Sequence, residues 1–198
     1  MPRLTRAEQR ARTRRDLLDA ARERFLAVGY GAASLDDIAD LAGYSKGAVY
    51  SNFTDKQTLC RAVLDEIHRD KIGEVADLTI GGADLEARVQ AAAEWLERTV
   101  GDVGWTMLEL EFVTLSRNDP ALTSVITELR NDARGAVVDL LRSIRTPSEG
   151  TGVDESALGQ IADLLLSAGI GLGIQRAVDP TISVEPMVGA LRTALALL

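Results

Sequence analysis

Residues 42–53 of the 198-residue chain read AGYSKGAVYSNF, and this stretch decides how the N-terminal part of the chain is interpreted. It holds two glycines, three aromatic residues, one lysine and two serines, in a chain that is 46% apolar. A short helix starting at Ser45 turns Val49 inward and leaves an outer face of Ser45, Lys46, Gly47, Ala48 and Tyr50. A helix with such small outer residues can enter a groove about 12 Å wide, which larger side chains would prevent.

The residues before this stretch supply the other half of a helix-turn-helix. Ser34 and Asp37 predict the start of a short helix, whose Ile38 and Ala39 face inward until Gly43 ends it. Ala39 must be small because the next helix crosses close above it, and Gly43 provides the backbone freedom that a tight turn needs. Two short helices joined in this way, with a longer helix on either side, are typical of a helix-turn-helix.

Apolar residues recur at helical spacing along almost the whole chain. A capping box at Thr5 and Glu8 predicts a first helix to about residue 28 with Val28 on its inner face, and Thr54 is expected to cap the helix after the helix-turn-helix. Further helices are predicted at about 84–100, 104–117, 121–145, 154–178 and 183–198. The predicted fold is all-α, with a three-helix helix-turn-helix DNA-binding domain at 1–54 and a helical bundle for ligand binding and dimerisation at 55–198.

The charge of the chain is divided between these two parts. Residues 1–60 hold ten Lys or Arg against eight Asp or Glu, whereas residues 61–198 hold twelve against twenty-two. Six of the arginines lie in the first fifteen residues, together with one glutamate. This division favours a nucleic-acid-binding unit joined to an acidic body, although a solvated basic arm accounts for the arginines equally well.

Several other classes of protein are disfavoured by the composition. With one cysteine, Cys60, and one histidine, His68, a chain cannot form an internal disulfide or the usual Cys/His zinc site. No nucleophile elbow or phosphate loop is present, so neither an enzyme nor a metal or cofactor site is expected. No run of eighteen apolar residues and no signal peptide is found, which predicts a cytoplasmic protein without membrane contact.

Polar side chains around the turn suit contact with double-stranded DNA. The hydroxyls of Tyr44 and Tyr50 have the reach to contact phosphate oxygens, and Lys46 can reach a guanine edge or a phosphate. Lys56 lies in the first turn of the following helix, where a lysine is unfavourable until a phosphate binds there.

Over roughly residues 14–64 the sequence resembles the TetR family of bacterial transcriptional repressors, chiefly through AARERFLAVGYGAASLDDIADLAGYSKGAVYSNFTDKQTLCRAVL. The resemblance implies a DNA-binding homodimer with groove-facing and phosphate-contacting residues. By position, it assigns the groove-facing role to Ser45, Lys46 and Gly47 and the phosphate contacts to Ser34, Tyr44, Tyr50 and Lys56. The chain departs from the usual family pattern at Tyr44, where a small aliphatic residue is common, and at Asn52, where histidine is common.

Large side chains on the two central helices are the candidates for contact with a small-molecule effector. They are Trp95, Trp105, Met107, Leu108, Glu111 and Phe112. Core packing is the alternative interpretation, because large residues at helical spacing more often fill a core. One of Glu109 and Glu111 must lie near the apolar face, and we expect it to meet a neighbouring arginine, Arg117, Arg130 or Arg134, or else a cationic ligand.

Small residues in the helix at 154–178 predict close packing against another helix. Its sequence GIGLG at 169–173 follows no strand, so a dinucleotide-binding loop is rejected. Each glycine inside a helix costs up to about 1 kcal/mol relative to alanine, which suggests a packing reason. With the helix at 121–145 it is expected to form a four-helix dimer interface, as the resemblance also implies, through Leu129, Ala136, Leu140, Ala162, Gly169 and Gly173. Close packing within one chain is the alternative.

These observations predict a homodimeric, sequence-specific DNA-binding transcriptional regulator. It is expected to act as a repressor that a small-molecule effector releases from a palindromic operator. The alternative is a helical protein-interaction module without specific DNA readout, which would suit the acidic body but not the arginine-rich start of the chain.

Overall fold

The computed structural model describes residues 5–78, 85–100, 102–144 and 155–197. Within these ranges the chain forms nine α-helices and no strand, which confirms the all-α class. The helices are α1 (Arg6–Ala32), α2 (Leu35–Ala42), α3 (Lys46–Asn52), α4 (Lys56–Asp77), α5 (Leu85–Val100), α6 (Val103–Ser116), α7 (Pro120–Ile144), α8 (Glu155–Val178) and α9 (Glu185–Leu197). The division of the chain at residues 54 and 55 stays a prediction.

The helix-turn-helix forms at the residues that the sequence indicates. The Ser34 hydroxyl accepts a hydrogen bond from the Asp37 N–H at 3.0 Å and caps α2. Gly43 ends α2 in the left-handed conformation, with φ 74°. The Ser45 hydroxyl then accepts from the Ala48 N–H at 3.3 Å and caps α3. Serine caps satisfy N–H groups that a helix leaves free at its start, so the two helices have defined beginnings.

Helix α1 begins at the predicted capping box of Thr5 and Glu8 and changes direction near its end. Gly29 has φ 79° and ψ 170°, a backbone conformation that is open essentially only to glycine. The expectation that Val28 faces the core is wrong, because the buried stripe of α1 ends at Phe25 and Val28 is 37% exposed.

The start of α4 corrects a second expectation. Asp55 caps this helix, and its carboxylate accepts a hydrogen bond from the Thr58 N–H at 2.7 Å. Thr54 lies one residue earlier and does not cap the helix. A carboxylate also complements the positive end of the helix dipole, which favours aspartate at this place.

The helices of the N-terminal part share a hydrophobic core with α6 and α7. Phe25 of α1, Phe53 and Leu59 pack in one cluster with buried side chains of the later helices, Trp105, Leu108, Phe112 and Leu122. Gly104 of α6 lies against the backbone carbonyl of Leu26, where a side chain on residue 104 would not fit. The helix-turn-helix is therefore packed directly on α6, in addition to its covalent connection through α4.

Helix α8 packs against α5, α6, α7 and α9. It has a mean hydropathy of 1.6 over an 18-residue window, and by length and composition it is the one described helix that could cross a membrane. Only 22% of that window is buried within the chain, so much apolar surface of α8 faces outward. The absence of membrane contact therefore stays a prediction.

Candidate nucleic-acid interface

Helix α3 presents the outer face that the sequence predicts. Ser45, Lys46 and Gly47 are exposed, Tyr50 is 51% exposed, and Val49 on the opposite side is fully buried. The helix is held from inside by the shared core, and its outer face is left to small and polar residues. The geometry brings these four outward-facing candidates together, whereas their contact with DNA stays a prediction.

Lys46 already has a partner in the free protein. Its ammonium donates a hydrogen bond to the Asp36 carboxylate of α2 at 2.9 Å, and this hydrogen bond raises the pKa of Lys46. Both side chains are more than half exposed, so the ion pair contributes little to stability. Lys46 can therefore exchange the carboxylate for a phosphate or a guanine edge at low cost.

Two of the expected phosphate contacts take part in local hydrogen bonds. Tyr44 is half-buried, and its hydroxyl donates to the Asp16 carboxylate of α1 at 2.7 Å. The Ser34 hydroxyl oxygen accepts the capping bond from the Asp37 N–H, and a hydrogen bond between the Ser34 side chain and the Asp37 carboxylate lowers the pKa of Asp37. Tyr44 thus connects the turn to α1. This role was not predicted from the presence of tyrosine at a position where the family commonly has a small aliphatic residue.

Lys56 is the first residue of α4 and points toward the end of α1. Its ammonium lies 4.5 Å from the centre of the Tyr30 ring and donates to the Gly31 carbonyl at 3.3 Å. The cation–π contact and the hydrogen bond place this charge between α1 and α4. A phosphate contact by Lys56 remains a prediction that requires the ammonium to turn outward.

Arginines of α1 hold the C-terminal end of α3, a contact that the basic character of the first fifteen residues did not predict. Arg10 donates to the Ser51 carbonyl at 3.4 Å and Arg14 to the Asn52 carbonyl at 3.0 Å. The Arg14 guanidinium also lies over the Phe53 ring at 4.2 Å. Carbonyls at the end of a helix lack partners within it, and cations are favourable there. The spacing of four residues between arginines was the available signal.

An open cleft of about 360 Å³ lies between the start of α1 and the side of α3. Its lining includes two arginines and no carboxylate. The lining residues are Arg6, Gln9, Arg10, Thr13, Tyr44, Ala48, Ser51 and Asn52.

The six effector candidates lie in different surroundings. Trp105, Leu108 and Phe112 belong to the core that α6 shares with the helix-turn-helix. Trp95 is half-buried beside α4, and its indole N–H donates to the Glu74 carboxylate at 2.8 Å. Met107 is 42% exposed. For the three buried residues the structure supports the core interpretation, and an effector contact by any of the six stays a prediction.

The two glutamates of α6 do not meet the expected arginines. Glu111 accepts a hydrogen bond from the backbone N–H of Gly31 at 2.9 Å, and Glu109 lies 3.7 Å from the His68 ring nitrogen. Arg130 and Arg134 both bind Asp163 of α8 instead, each at 3.0 Å. The expectation was wrong because these arginines lie on the side of α7 that faces α8.

His68 and Glu109 form a polar cluster between α4 and α6. Burial raises the pKa of Glu109 to about 7. Burial also lowers the pKa of His68 to about 4, although the nearby Asp132 acts in the opposite direction. The Trp105 ring meets the His68 ring edge to face at 4.8 Å. His68 is therefore neutral at neutral pH, whereas Glu109 titrates close to neutral pH.

Several of the residues assigned to the dimer interface pack within the chain. Ala162 and Leu140 are buried in the protomer, and Gly173 lies against the side chain of Thr106. Gly169 faces Met187 of α9. Internal packing therefore accounts for Ala162, Leu140 and Gly173, while a contact of these residues or of Gly169 with a second chain stays a prediction. Leu129 and Ala136 are half-buried on α7, and their contact with a second chain stays a prediction.

The outward side of α8 carries large apolar side chains instead. Leu164 is 64% exposed, Ile170 50%, Ile174 38% and Val178 86%. Exposed apolar residues that are grouped on one helix indicate a contact surface more strongly than single ones do.

A sequence model described as "Bacterial regulatory proteins, tetR family" matches residues 17–63. The HTH-type transcriptional activator FasR of Mycolicibacterium smegmatis is 31% identical over 191 residues, which cover 94% of this chain and 82% of that protein. The HTH-type transcriptional repressor KstR2 of Rhodococcus jostii is 28% identical over 121 residues, 59% of each chain. Two regulators of Pseudomonas putida match at 40% identity over 61 residues, so the match spans 29% of their length.

Among solved structures, the SmeT–triclosan complex superposes with a TM-score of 0.66. The superposition covers 93% of this chain and 90% of that one at 23% sequence identity, and it shows a shared fold.

Proposed function

Because the chain belongs to the TetR family of bacterial transcriptional regulators, we propose that it works as a homodimer that binds a palindromic operator and leaves it when a small molecule binds the C-terminal helices. The observation that carries this proposal is the outer face of α3. It is exposed and built from small and polar residues, while Val49 anchors the helix in the core. Ser45, Lys46 and Gly47 would then lie in the major groove, and Tyr50 and Ser34 would contact phosphates at its edges.

Dimerisation is supported by the apolar surface of α8. A lone chain would expose Leu164, Ile174 and Val178 to water, and burying such side chains stabilises an association by about 25 cal/mol for each Å² removed from water. A symmetric contact in which α8 meets its copy would cover them. It would also provide the two recognition helices that a palindrome requires.

Coupling between effector and operator follows from α4. This helix buries Leu59 and Val63 in the core of the helix-turn-helix, and Val75 near its other end packs with Leu140 of α7. A ligand that moves α7 would shift α4 and change the separation of the recognition helices, which must be about 34–36 Å or a multiple. A coupling of about 1–3 kcal/mol would change operator affinity about 5- to 150-fold.

Among the effector candidates, Trp95 is best placed to take part in this coupling. It packs beside Val75 and Leu140, and its hydrogen bond to Glu74 joins α5 to α4. A ligand that displaces this hydrogen bond would act on α4 directly. SmeT, which shares the fold, is described in complex with triclosan, which agrees with a small-molecule ligand for this chain.

Repression is the proposed direction of regulation. A dimer that covers a promoter blocks transcription without further contacts, whereas activation requires a surface for the transcription machinery. KstR2 is named a repressor and FasR an activator, so both directions of regulation occur among the relatives. The position of the operator relative to its promoter distinguishes repression from activation. A footprint upstream of the promoter would contradict repression.

The proposal is tested by selecting genomic DNA fragments with the purified protein at about 150 mM salt, followed by footprinting. We expect enrichment of a short palindrome, protected on one face of the duplex over two half-sites. Titration with compounds related to the neighbouring genes should then release the DNA. Retention of DNA without any sequence preference would contradict specific regulation, and failure of every compound to change affinity would contradict the effector.

A further inference from the structure

Three arginines on one face of α1 lack acidic partners. Arg6, Arg10 and Arg14 are four residues apart, so they follow one another along the same side of the helix. Arg10 and Arg14 donate only to backbone carbonyls of α3, and Arg6 forms no hydrogen bond or ion pair with any residue that the structure describes. No carboxylate of the described residues therefore pairs with these three positive charges.

The other arginines in this part of α1 are paired with carboxylates. Arg12 approaches Asp16 at 3.9 Å, and Arg15 approaches Glu66 at 3.8 Å. The difference between the two faces of α1 shows that the unpaired charge is concentrated on the side of α3. An acidic chain that keeps such a charge beside an exposed recognition helix favours a polyanion as the partner there.

The α1–α3 cleft, lined by the eight residues named above, is where these charges meet α3. Ser51 and Asn52 cannot easily donate into it, because the Ser51 hydroxyl and the Asn52 amide both donate to the Ala48 carbonyl, at 2.9 and 2.8 Å. The charged donors of the cleft are the guanidinium of Arg6 and the N–H groups of Arg10 that do not bind Ser51. Such donors match the geometry of phosphate oxygens and carry no preference for a base.

We propose that the α1–α3 cleft holds a phosphate of the DNA backbone beside the groove that receives α3, with Arg6 and Arg10 as its contacts. This inference rests on the proposed DNA binding and adds a contact that lies outside the helix-turn-helix. Arg10 is already fixed on the end of α3 through Ser51, so the phosphate position and the recognition helix are set relative to each other. The contact orients α3 in the groove and contributes equally on every sequence.

The test compares the salt dependence of DNA binding among full-length variants. Wild type, Arg6→Ala, Arg6→Lys and Arg10→Ala are titrated against the selected operator and a scrambled duplex of equal length, between about 50 and 200 mM salt. Arg98→Ala is the matched control, because Arg98 is an exposed arginine of α5 without a partner among the described residues. Circular dichroism melting verifies that each variant is folded.

For Arg6→Ala we expect the slope of log affinity against log salt to become shallower by about 0.9 for each bound protomer, on both duplexes alike. Arg6→Lys should retain the wild-type slope because it retains the charge, and Arg10→Ala should follow Arg6→Ala. If the slopes of Arg6→Ala and Arg10→Ala equal that of Arg98→Ala, the inference is wrong. If wild type binds the operator and the scrambled duplex equally, the proposed sequence-specific regulation is wrong. The proposed phosphate contact in the α1–α3 cleft is still tested in that case, because the salt slopes of the variants can be compared on either duplex.

Discussion

Single residues of the proposed recognition surface have partners in the free protein that DNA would have to replace. Lys46 is the clearest case, since its ammonium binds the Asp36 carboxylate at 2.9 Å in the free protein. This ion pair holds the Lys46 side chain toward α2 in the free protein. Because the pair is exposed, its loss costs at most about 1 kcal/mol.

Lys46→Ala should weaken binding to the operator by about 1–3 kcal/mol and relax the preference at one operator position, if this residue reads a base. Competition binding against operators with single base changes measures both effects. Asp36→Asn is a suitable control, because it keeps Lys46 and removes its carboxylate partner, and it should strengthen binding to all duplexes. Equal weakening of operator and scrambled DNA by Lys46→Ala would show a phosphate contact instead.

Glu109 is a second residue whose surroundings have a measurable consequence. Its pKa is about 7 in the folded chain, against an ordinary value of 4.5. As pH rises from 4.5 to 7, the unfolded chain loses this proton and the folded chain keeps it, so the free energy of unfolding falls. The effect is smaller than the full pKa displacement implies, because the Glu109 side chain remains 33% exposed.

Glu109→Gln should therefore raise the melting temperature relative to wild type at pH 8, and the gain should disappear toward pH 4. Thermal unfolding followed by circular dichroism measures the difference. His68→Gln should behave in the opposite way, because the pKa of His68 is lowered to about 4 and wild type loses stability as pH falls below 6.5. If the difference in melting temperature between Glu109→Gln and wild type does not change with pH, the pKa of Glu109 is not raised by folding.

At the scale of elements, α6 contacts the helix-turn-helix at the end of α1. Tyr30 packs between Phe25 and Phe112, with ring centres 6.0 Å apart in both cases. Glu111 accepts the Gly31 N–H beside it. The segment that leads from α1 into α2 is thus held by α6, and movement of α6 can reach the recognition surface without passing through α4.

Gly29→Ala tests the strain at this corner. At φ 79° and ψ 170° a non-glycine residue costs about 1–3 kcal/mol, and the added methyl group would lie 2.5 Å from the Glu111 carboxylate oxygen. We expect a lower free energy of unfolding in urea and weaker operator binding. Gly31→Ala is the matched control, since nothing lies within 4 Å of its added methyl group. Equal stability of the two variants would contradict the role of Gly29.

At the scale of the whole molecule, the proposed dimer would determine whether two copies of α3 can reach one operator. Apart from Val178 at the end of α8, Leu164 is the most exposed of the large apolar residues on this helix. Leu164→Glu places a charge there and should convert the protein to a monomer. Light scattering after size-exclusion chromatography measures the mass, and operator binding should fall with it. Leu115→Glu is the control, because Leu115 is 42% exposed on α6. A dimer that persists in Leu164→Glu would place the interface elsewhere.

The sequence by itself determined the elements of the DNA-binding unit. Ser34, Gly43 and Ser45 were identified correctly because caps and turns depend on groups within a few positions of one another. A neighbouring residue can still be chosen in place of the true cap, since Thr54 was predicted to cap α4 and Asp55 caps it. Helix existence and the all-α class were predictable for the same reason, since apolar spacing is a local pattern.

Only the tertiary structure decided which surfaces meet. Glu111 and Gly31 are 80 positions apart, and no local pattern indicates their hydrogen bond. The small residues Ala162 and Gly173 showed that α8 packs closely, but not that the neighbours would be helices of the same chain. The relative rotation of packed helices selects the covered side of each one, and that rotation results from the combined packing of all their side chains.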